Sequence, residues 1–474
     1  MGGGAEVSRR EFLAVSPHTS AGLAQPQRAI AIFAVLSAMS LVVLDAGMVN
    51  VALPSMAQSL NVTPAMSILA VTAYQTGLIM GLLPSAALGQ RFGYRRVFVG
   101  GICIFTTASI LCAASSSLPW LIAARTLQGL GGSAVMALGV ALLRFTVPPD
   151  RVGAAIGWNA LTVALSSAAS PAIGALLLSS ASWHWLFLVN IPLGAATLVS
   201  SRVLPLTAAT AQIIDSTSVL LNGLAFVLLV LAAELIVSCT LASALFLALS
   251  AYAFVALVRR EKPKAAPMIP LDLLHIPSFR LSVIASICCF AGQTAGLVAL
   301  PFYLQHALGQ SALMIGLYMT TWPLAVAVTA LAAGYLSDRI HTAWLSSAGG
   351  ICLAVGLAGS AVWPLQGDPR PLIPFTILCG IGFGLFQTPN NRNLFLSAPL
   401  ARSGAAGGMQ GTARLSGQLA AAVLLTLLFS VASMQLAPRF GLGIGAALAL
   451  AAAITSLLRA SMIAPNHPIE RHRT

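Results

Sequence analysis

Charge is what this sequence has least of. Asp, Glu, Lys and Arg make up 7% of its 474 residues, against about 25% in an average soluble domain. A chain with 58% hydrophobic residues has nowhere in a water-soluble fold to bury them, and a bilayer is the solvent that suits it. Lysine is nearly absent: Lys262 and Lys264 are the only two, and neither follows a glycine-rich loop. A phosphate-binding P-loop needs such a lysine, so no ATP is expected as an energy source. The chain also lacks HExxH, a Gly-x-Ser-x-Gly elbow and any cluster of His with carboxylates. No metal, cofactor or enzymatic chemistry is therefore expected. The seven cysteines, at 103, 112, 239, 288, 289, 352 and 379, lie in or beside apolar runs without metal-ligand spacing. They read as small buried hydrophobes.

The net charge of +13 raises the question of nucleic acid, but the basic residues form no patch and no stripe interleaved with aromatics, so no nucleic-acid partner is expected. They recur instead in short clusters between apolar runs, the positive-inside pattern of membrane proteins. Near the start, Ser8-Arg9-Arg10-Glu11-Phe12-Leu13 matches a twin-arginine export signal. Ser16, Pro17 and His18 break the apolar core that such a signal needs, so the segment reads as a cytoplasmic tail.

A spanning helix takes about 20 apolar residues. Such runs occur at 29–51, 66–89, 97–116, 119–143, 153–178, 184–204, 217–237, 240–258, 280–303, 312–335, 344–364, 371–391, 405–433 and 440–458. The expected fold is all-α and integral to the membrane, with fourteen transmembrane helices. With both termini in the cytoplasm, 20 of the 24 Lys and Arg fall on the inner side. Arg370 and Arg439 are then outside, and Arg125 and Arg414 lie within spans. The reverse orientation violates the positive-inside rule.

The two ends of the chain repeat each other. At an offset of 251 residues, Gly129, Gly131, Pro148, Arg151, Gly153, Ala154, Ala155 and Gly157 match Gly380, Gly382, Pro399, Arg402, Gly404, Ala405, Ala406 and Gly408. At an offset of 248, Leu88-Gly89-Gln90-Arg91 aligns with Leu336-Ser337-Asp338-Arg339. Such offsets equal about eight spans, so two six-helix halves with two helices inserted between them are expected. The boundaries are a tail at 1–28, a first bundle at 29–204, the inserted pair at 205–260, a linker at 261–279, a second bundle at 280–460 and a tail at 461–474. Parallel repeats of this kind suit a transporter whose halves rock about a midplane site.

Motifs in this frame resemble those of the major facilitator superfamily, and within it the fourteen-span drug:proton antiporters. Leu44-Asp45 with Val49-Asn50-Val51-Ala52-Leu53-Pro54 resembles the family's first-helix motif, and Arg125-x-x-Gln128-Gly129-x-Gly131 its fourth-helix motif. Trp183-x-Trp185-x-Phe187-x-x-Asn190-x-Pro192-x-Gly194 resembles a sixth-helix signature of the fourteen-span branch, and Arg414-Leu415-Ser416-Gly417 a late-helix pattern of that branch. The resemblance covers about residues 28–460 and implies two six-helix bundles plus two inserted helices. It also implies proton-coupled export by alternating access.

Asp45 and Arg125 are the sharpest candidates, because an ionisable group inside a span costs at least a few kcal/mol unless it is paired or faces water. Asp45 lies about 25 Å along its helix at 1.5 Å per residue, and Arg125 is at similar depth on an opposed helix. The two are expected to meet in a central cavity, Asp45 carrying the proton and Arg125 favouring its ionised form. The resemblance implies the same roles. Glu234, near a helix end, reads as a group that snorkels to the interface.

Three further sets complete the candidates. Ala86-x-Leu88-Gly89-Gln90-Arg91-x-Gly93-Tyr94-Arg95-Arg96 resembles the superfamily's gating motif, with Gln90 in place of its acid. The second copy, Gly334-Tyr335-Leu336-Ser337-Asp338-Arg339, keeps the acid, so closure is expected to lean on Asp338. Gly157, Ser166, Ser170, Pro171 and Gly174 resemble the antiporter packing motif, with two glycines replaced by serine. Cavity or substrate contacts are expected from Gln75, Gln128, Asn159, Gln293, Gln387, Asn390, Gln410 and Arg414, with Tyr74, Trp158 and Trp322. The expected activity is export of amphipathic or cationic drug-like compounds in exchange for protons, by a monomer in a bacterial inner membrane. A proton-coupled carrier of one endogenous metabolite is the alternative, and a non-transporting membrane sensor a third.

Overall fold

The computed structural model describes residues 23–148, 151–207, 215–235, 239–262, 271–337, 339–362, 369–398, 403–433 and 435–463. Helices dominate these segments, and no strand occurs among them. In chain order they are α1 (Gln27–Ser59), α2 (Pro64–Phe92), α3 (Tyr94–Ala113), α4 (Leu118–Thr146), α5 (Val152–Ser180) and α6 (Trp185–Val203). Then come α7 (Ser216–Leu235), α8 (Thr240–Glu261), α9 (Pro277–Phe302), α10 (Ala312–Leu336), α11 (Thr342–Val362), α12 (Leu372–Ser397), α13 (Ser403–Val431) and α14 (Ala437–Ile463).

Thirteen of these are long and apolar enough to cross a membrane, and α7 contributes a shorter apolar stretch. Several helices, α1 and α14 among them, exceed their apolar runs because a helix can continue past the hydrocarbon until something caps it. α1 runs on through Pro54 to Ser59, and the Thr63 hydroxyl then accepts the Met66 amide to start α2. α14 likewise passes the expected end at residue 458 and carries Arg459 inside it.

Helix packing repeats with the chain. α2 lies on α4, α3 on α4, α1 on α5 and α6 on α1; α10 lies on α12, α11 on α12, α9 on α13 and α14 on α9. The repeated glycines explain the match physically. A Cβ at Gly129 would meet the Tyr74 carbonyl, and one at Gly380 the Trp322 carbonyl. A Cβ at Gly131 would meet Gly101 O at 2.7 Å, and one at Gly382 would meet Gly349 O at 2.6 Å. The same close helix approach is thus built twice with the same residue type.

The inserted helices pack on each other, and α7 leans on α2. Ser243 and Ser250 of α8 donate to the carbonyls of Ala232 and Ala225 in α7 at 2.6 and 2.7 Å. Asn222 reaches the Met80 carbonyl of α2 at 3.3 Å. α8 leaves Leu241, Leu245 and Tyr252 exposed, as an outer helix in lipid would.

The core is not evenly shared. Loops carrying Arg91, Arg95 and Arg96 define a basic face, and the loop holding His184 lies at the other. On the His184 face one continuous core joins both bundles, from Val49, Leu53, Leu121 and Leu186 to Phe302, Ile315, Leu372 and Phe429. Toward the basic face it divides. One cluster centres on Val42, Phe98 and Leu142, with Leu415 and Leu419 of α13 attached. A separate cluster centres on Phe279, Val283, Leu394 and Met409. The bundles thus share one continuous core at the His184 face, while toward the basic face one side of α13 stays attached to the first bundle and its other side packs with α9 and α12 in a separate core.

Candidate functional site

The site is built where α1, α3, α4 and α6 converge. Glycines bring α2 against α4: a Cβ at Gly77 would meet the Thr126 carbonyl. At that spacing Arg125, two turns into α4, lays its guanidinium 4.1 Å from the centre of the Tyr74 ring and 5.6 Å from that of Phe187. Its Nε donates to the Ala70 carbonyl at 3.2 Å.

Its Nη1 donates to Asp45 Oδ2 at 2.5 Å and to Gln128 Oε1 at 2.6 Å. The other carboxylate oxygen, Oδ1, accepts from Gln128 Nε2 at 2.9 Å and from Asn190 Nδ2 at 2.8 Å. Ser109 of α3 accepts from Gln128 at 2.9 Å and donates its hydroxyl hydrogen bond to the Phe105 carbonyl. Asp45 is 0% exposed and Arg125 1%. The guanidinium of Arg125 and the amides of Gln128 and Asn190 all donate to the carboxylate oxygens, the geometry of a charge-assisted cluster.

Asp45 and Arg125 thus meet as expected, but they do not line an open cavity. Gln128, expected as a cavity contact, is spent on holding the pair. Asn190 completes the shell from the start of the Asn190–Ser200 segment of α6. Its place in the sixth-helix motif was visible in the sequence, but its contact was not.

A second buried guanidinium was missed. Arg459 falls one residue past the last apolar run, 440–458, and is not among the candidates, yet it is 0% exposed. It donates to Ser282 Oγ at 2.5 Å and Asn390 Oδ1 at 2.9 Å. Asn390 in turn donates to Ser286 Oγ at 2.8 Å. Asn390 is therefore a buried clamp among α9, α12 and α14 and not a cavity contact. Ser461, Met462 and Ile463 keep the apolar run going beyond Arg459, which was the available signal.

The packing motif lies between α1 on one side and α10 on the other. Ser170 fills the space left by Gly47, and Gly174 meets the Met48 backbone. Ser166 bonds Ser40. Gly316 of α10 receives Pro171 and Ala175, which is the seam between bundles at the His184 face. Gly157 lies in α5, and its surroundings fall outside the described residues.

Gating residues lie on the basic face. Gly93 has φ +92°, and a Cβ there would come 3.0 Å from the Thr207 carbonyl, so glycine is required. Tyr94 N donates to Thr207 Oγ1 at 2.7 Å and Arg95 Nη1 to the Leu204 carbonyl at 3.1 Å, binding this loop to the end of α6. Gln90, Arg91 and Arg96 are exposed. In the second copy Arg339 bonds the Tyr335 hydroxyl, and a Cβ at Gly334 would meet open space. Asp338 lies outside the described residues, as does the side chain of Glu234.

Of the remaining candidates, Gln75 is buried with its Oε1 unpartnered, and Asn159 keeps an unpartnered Oδ1. Gln410 donates to Asn391 Oδ1 at 3.3 Å. Gln293 and Gln387 are half-buried, Trp158 is exposed and Trp322 is buried. Arg414 is half-buried on α13.

Known proteins share the fold. The structure superposes on the POT family transporter PepTSo with a TM-score of 0.67 at 14% identity, over 93% of this chain and 99% of that one. At that identity the likeness concerns the fold. In sequence the chain is 44% identical over 415 residues to YebQ, described as an uncharacterized transporter of Escherichia coli strain K12, covering 86% of this chain and 91% of that protein. It is 30% identical to the drug efflux pump JefA of Mycobacterium tuberculosis strain H37Rv, over 83% and 78% of the two chains. It is 29% identical to the riboflavin transporter RibZ of Clostridioides difficile strain 630, over 78% and 81%. The family model described as Major Facilitator Superfamily matches residues 35–422 and again 281–473. The chain belongs to the major facilitator superfamily of membrane transporters.

Proposed function

We propose that this transporter exports amphipathic drug-like compounds in exchange for protons, by alternating access, with Asp45 taking and releasing the proton. The observation that carries the reading is the carboxylate held by Arg125, Gln128 and Asn190. Adding a proton to Asp45 removes the negative charge that balances a fully buried guanidinium, and that imbalance is costly in a dry interior. The loaded site is relieved by rearranging or by admitting water, so proton occupancy biases the conformation.

Packing supplies a route for that bias. Gly47 and Met48 follow Asp45 on α1 and rest on Ser170 and Gly174 of α5; the adjoining Pro171 and Ala175 rest on Gly316 of α10. Movement at Asp45 therefore bears on the seam between the bundles. With the basic face cytoplasmic, as the count of Lys and Arg supports, this seam lies toward the outer side of the membrane and the α2–α13 contact toward the inner one.

The relative described as a drug efflux pump supports export of drug-like compounds. The relative described as a riboflavin transporter supports a second reading, carriage of one metabolite. Purified protein in liposomes under an imposed pH gradient separates them. The export reading expects uptake or efflux of several unrelated amphipathic dyes, abolished by a protonophore. Transport of a single metabolite and of no dye would favour the second reading.

A further inference from the structure

One half-buried cation, Arg414, has no acid to balance it among the described residues and stands at the seam between the bundles. Arg414 lies on α13, which packs against α2 through glycines: a Cβ at Gly411 would sit 3.2 Å from Leu82 of α2, and one at Gly408 4.0 Å from Leu83. From there the guanidinium crosses to the first bundle, where Nη2 reaches the Met136 sulfur of α4 at 3.7 Å. A thioether is a weak acceptor. The Arg414 Nε is buried with no partner. The Tyr74 phenol is near enough to interact electrostatically, and Arg125 lies over the same ring.

No carboxylate among the described residues answers this charge. Both oxygens of Asp45 are taken by other donors. Gln410, one turn away on the same face of α13, is paired with Asn391 across to α12. A guanidinium left half-buried at a seam costs free energy unless something periodically satisfies it, and its planar fork fits a carboxylate or a phenolate in particular.

We infer that Arg414 receives an anionic group of the cargo, with Gln410 and Asn391 as polar neighbours, so that the exported compounds are amphipathic acids or phenolates and not permanent cations. This rests on the export reading and narrows its substrate class. Cargo and proton then use different atoms, Arg414 and Asp45, and exclude one another through conformation and not by competing for one group.

Binding to the solubilised full-length protein tests this without a pH gradient, so its outcome does not depend on whether transport is proton-coupled. Two xanthene dyes of similar size and opposite charge serve as probes: fluorescein and rhodamine 6G, followed by fluorescence polarisation. Wild type is expected to bind fluorescein more tightly than rhodamine 6G. Arg414→Gln is expected to weaken fluorescein by at least about tenfold, the scale of one charge-assisted hydrogen bond, with rhodamine 6G unchanged. Arg414→Lys is expected to recover part of the loss. Fluorescein is also expected to protect Arg414 of the unaltered protein from phenylglyoxal, read by mass spectrometry, which holds even if Arg414→Gln fails to fold. Preference for rhodamine 6G, absence of fluorescein binding, or fluorescein binding without protection of Arg414 would each overturn the assignment.

Discussion

At the scale of single residues, the site is a contest between two buried charges and the amides that hold them. Arg125 has four kinds of support: Asp45, Gln128, the Ala70 carbonyl and two aromatic rings. Asp45 has three donors, so deleting one charge exposes the other. Arg125→Leu is expected to destabilise by about 3–5 kcal/mol, as breaking a buried pair does. The loss should shrink when Asp45→Asn is added, because the second change removes the charge left without its partner. Thermal melts of the two variants check the sign; an equal loss in both would speak against a buried, unbalanced Asp45.

Asn190 is tested differently, since it carries no charge. Asn190→Leu removes one donor to the buried carboxylate and is expected to cost about 1–3 kcal/mol, the scale of a lost hydrogen bond to a buried polar group, read from thermal melts. An unchanged melt would make Asn190 a bystander. The pairing of Asp45 with Arg125 was legible in the sequence because opposite charges at equal depth have few other places to go. The amides were not, because polar residues inside spans serve many helix contacts and nothing in the sequence says which. Arg459 shows the opposite failure: a hydropathy boundary set one residue too early left a buried clamp outside the last span.

Elements carry the coupling from site to seam. α5 is the middle member, packed on α1 through Ser170 and Gly174 and on α10 through Pro171 and Ala175. At Gly316 no side chain fits while that seam is closed. Gly316→Val is expected to cost about 1–3 kcal/mol in the sealed state and to spread the ends of α5 and α10. Pulsed electron resonance between spin labels at Ser179 and Leu313 should then show a longer distance population, with transport reduced. An unchanged distance distribution would remove this seam from the mechanism.

The glycine repeat was readable as a repeat, since Gly129 and Gly131 return as Gly380 and Gly382. What each glycine admits required the structure: the carbonyls of Tyr74 and Gly101 in one bundle, and of Trp322 and Gly349 in the other. Helix ends were the least legible feature, because apolar runs report the width of the bilayer while helices stop where they are capped, as at Thr63 before α2.

For the whole molecule, hydropathy and the repeat were enough to give a helical membrane protein with related ends, because lipid leaves few alternatives for a spanning chain. They did not say where the bundles share a core. That depends on which residues meet across them: a continuous core at the His184 face, and α13 against α2 nearer the basic one. The proposed proton coupling belongs to this scale too, since it would link a charge in one bundle to the movement of both. Liposomes containing the transporter and an internal pH dye, given an exported amphipathic compound, measure it directly. Substrate addition should move protons across the membrane in wild type, and Asp45→Asn should bind substrate yet move none. Substrate-driven proton movement undiminished in Asp45→Asn would contradict the assignment of Asp45 as the proton site.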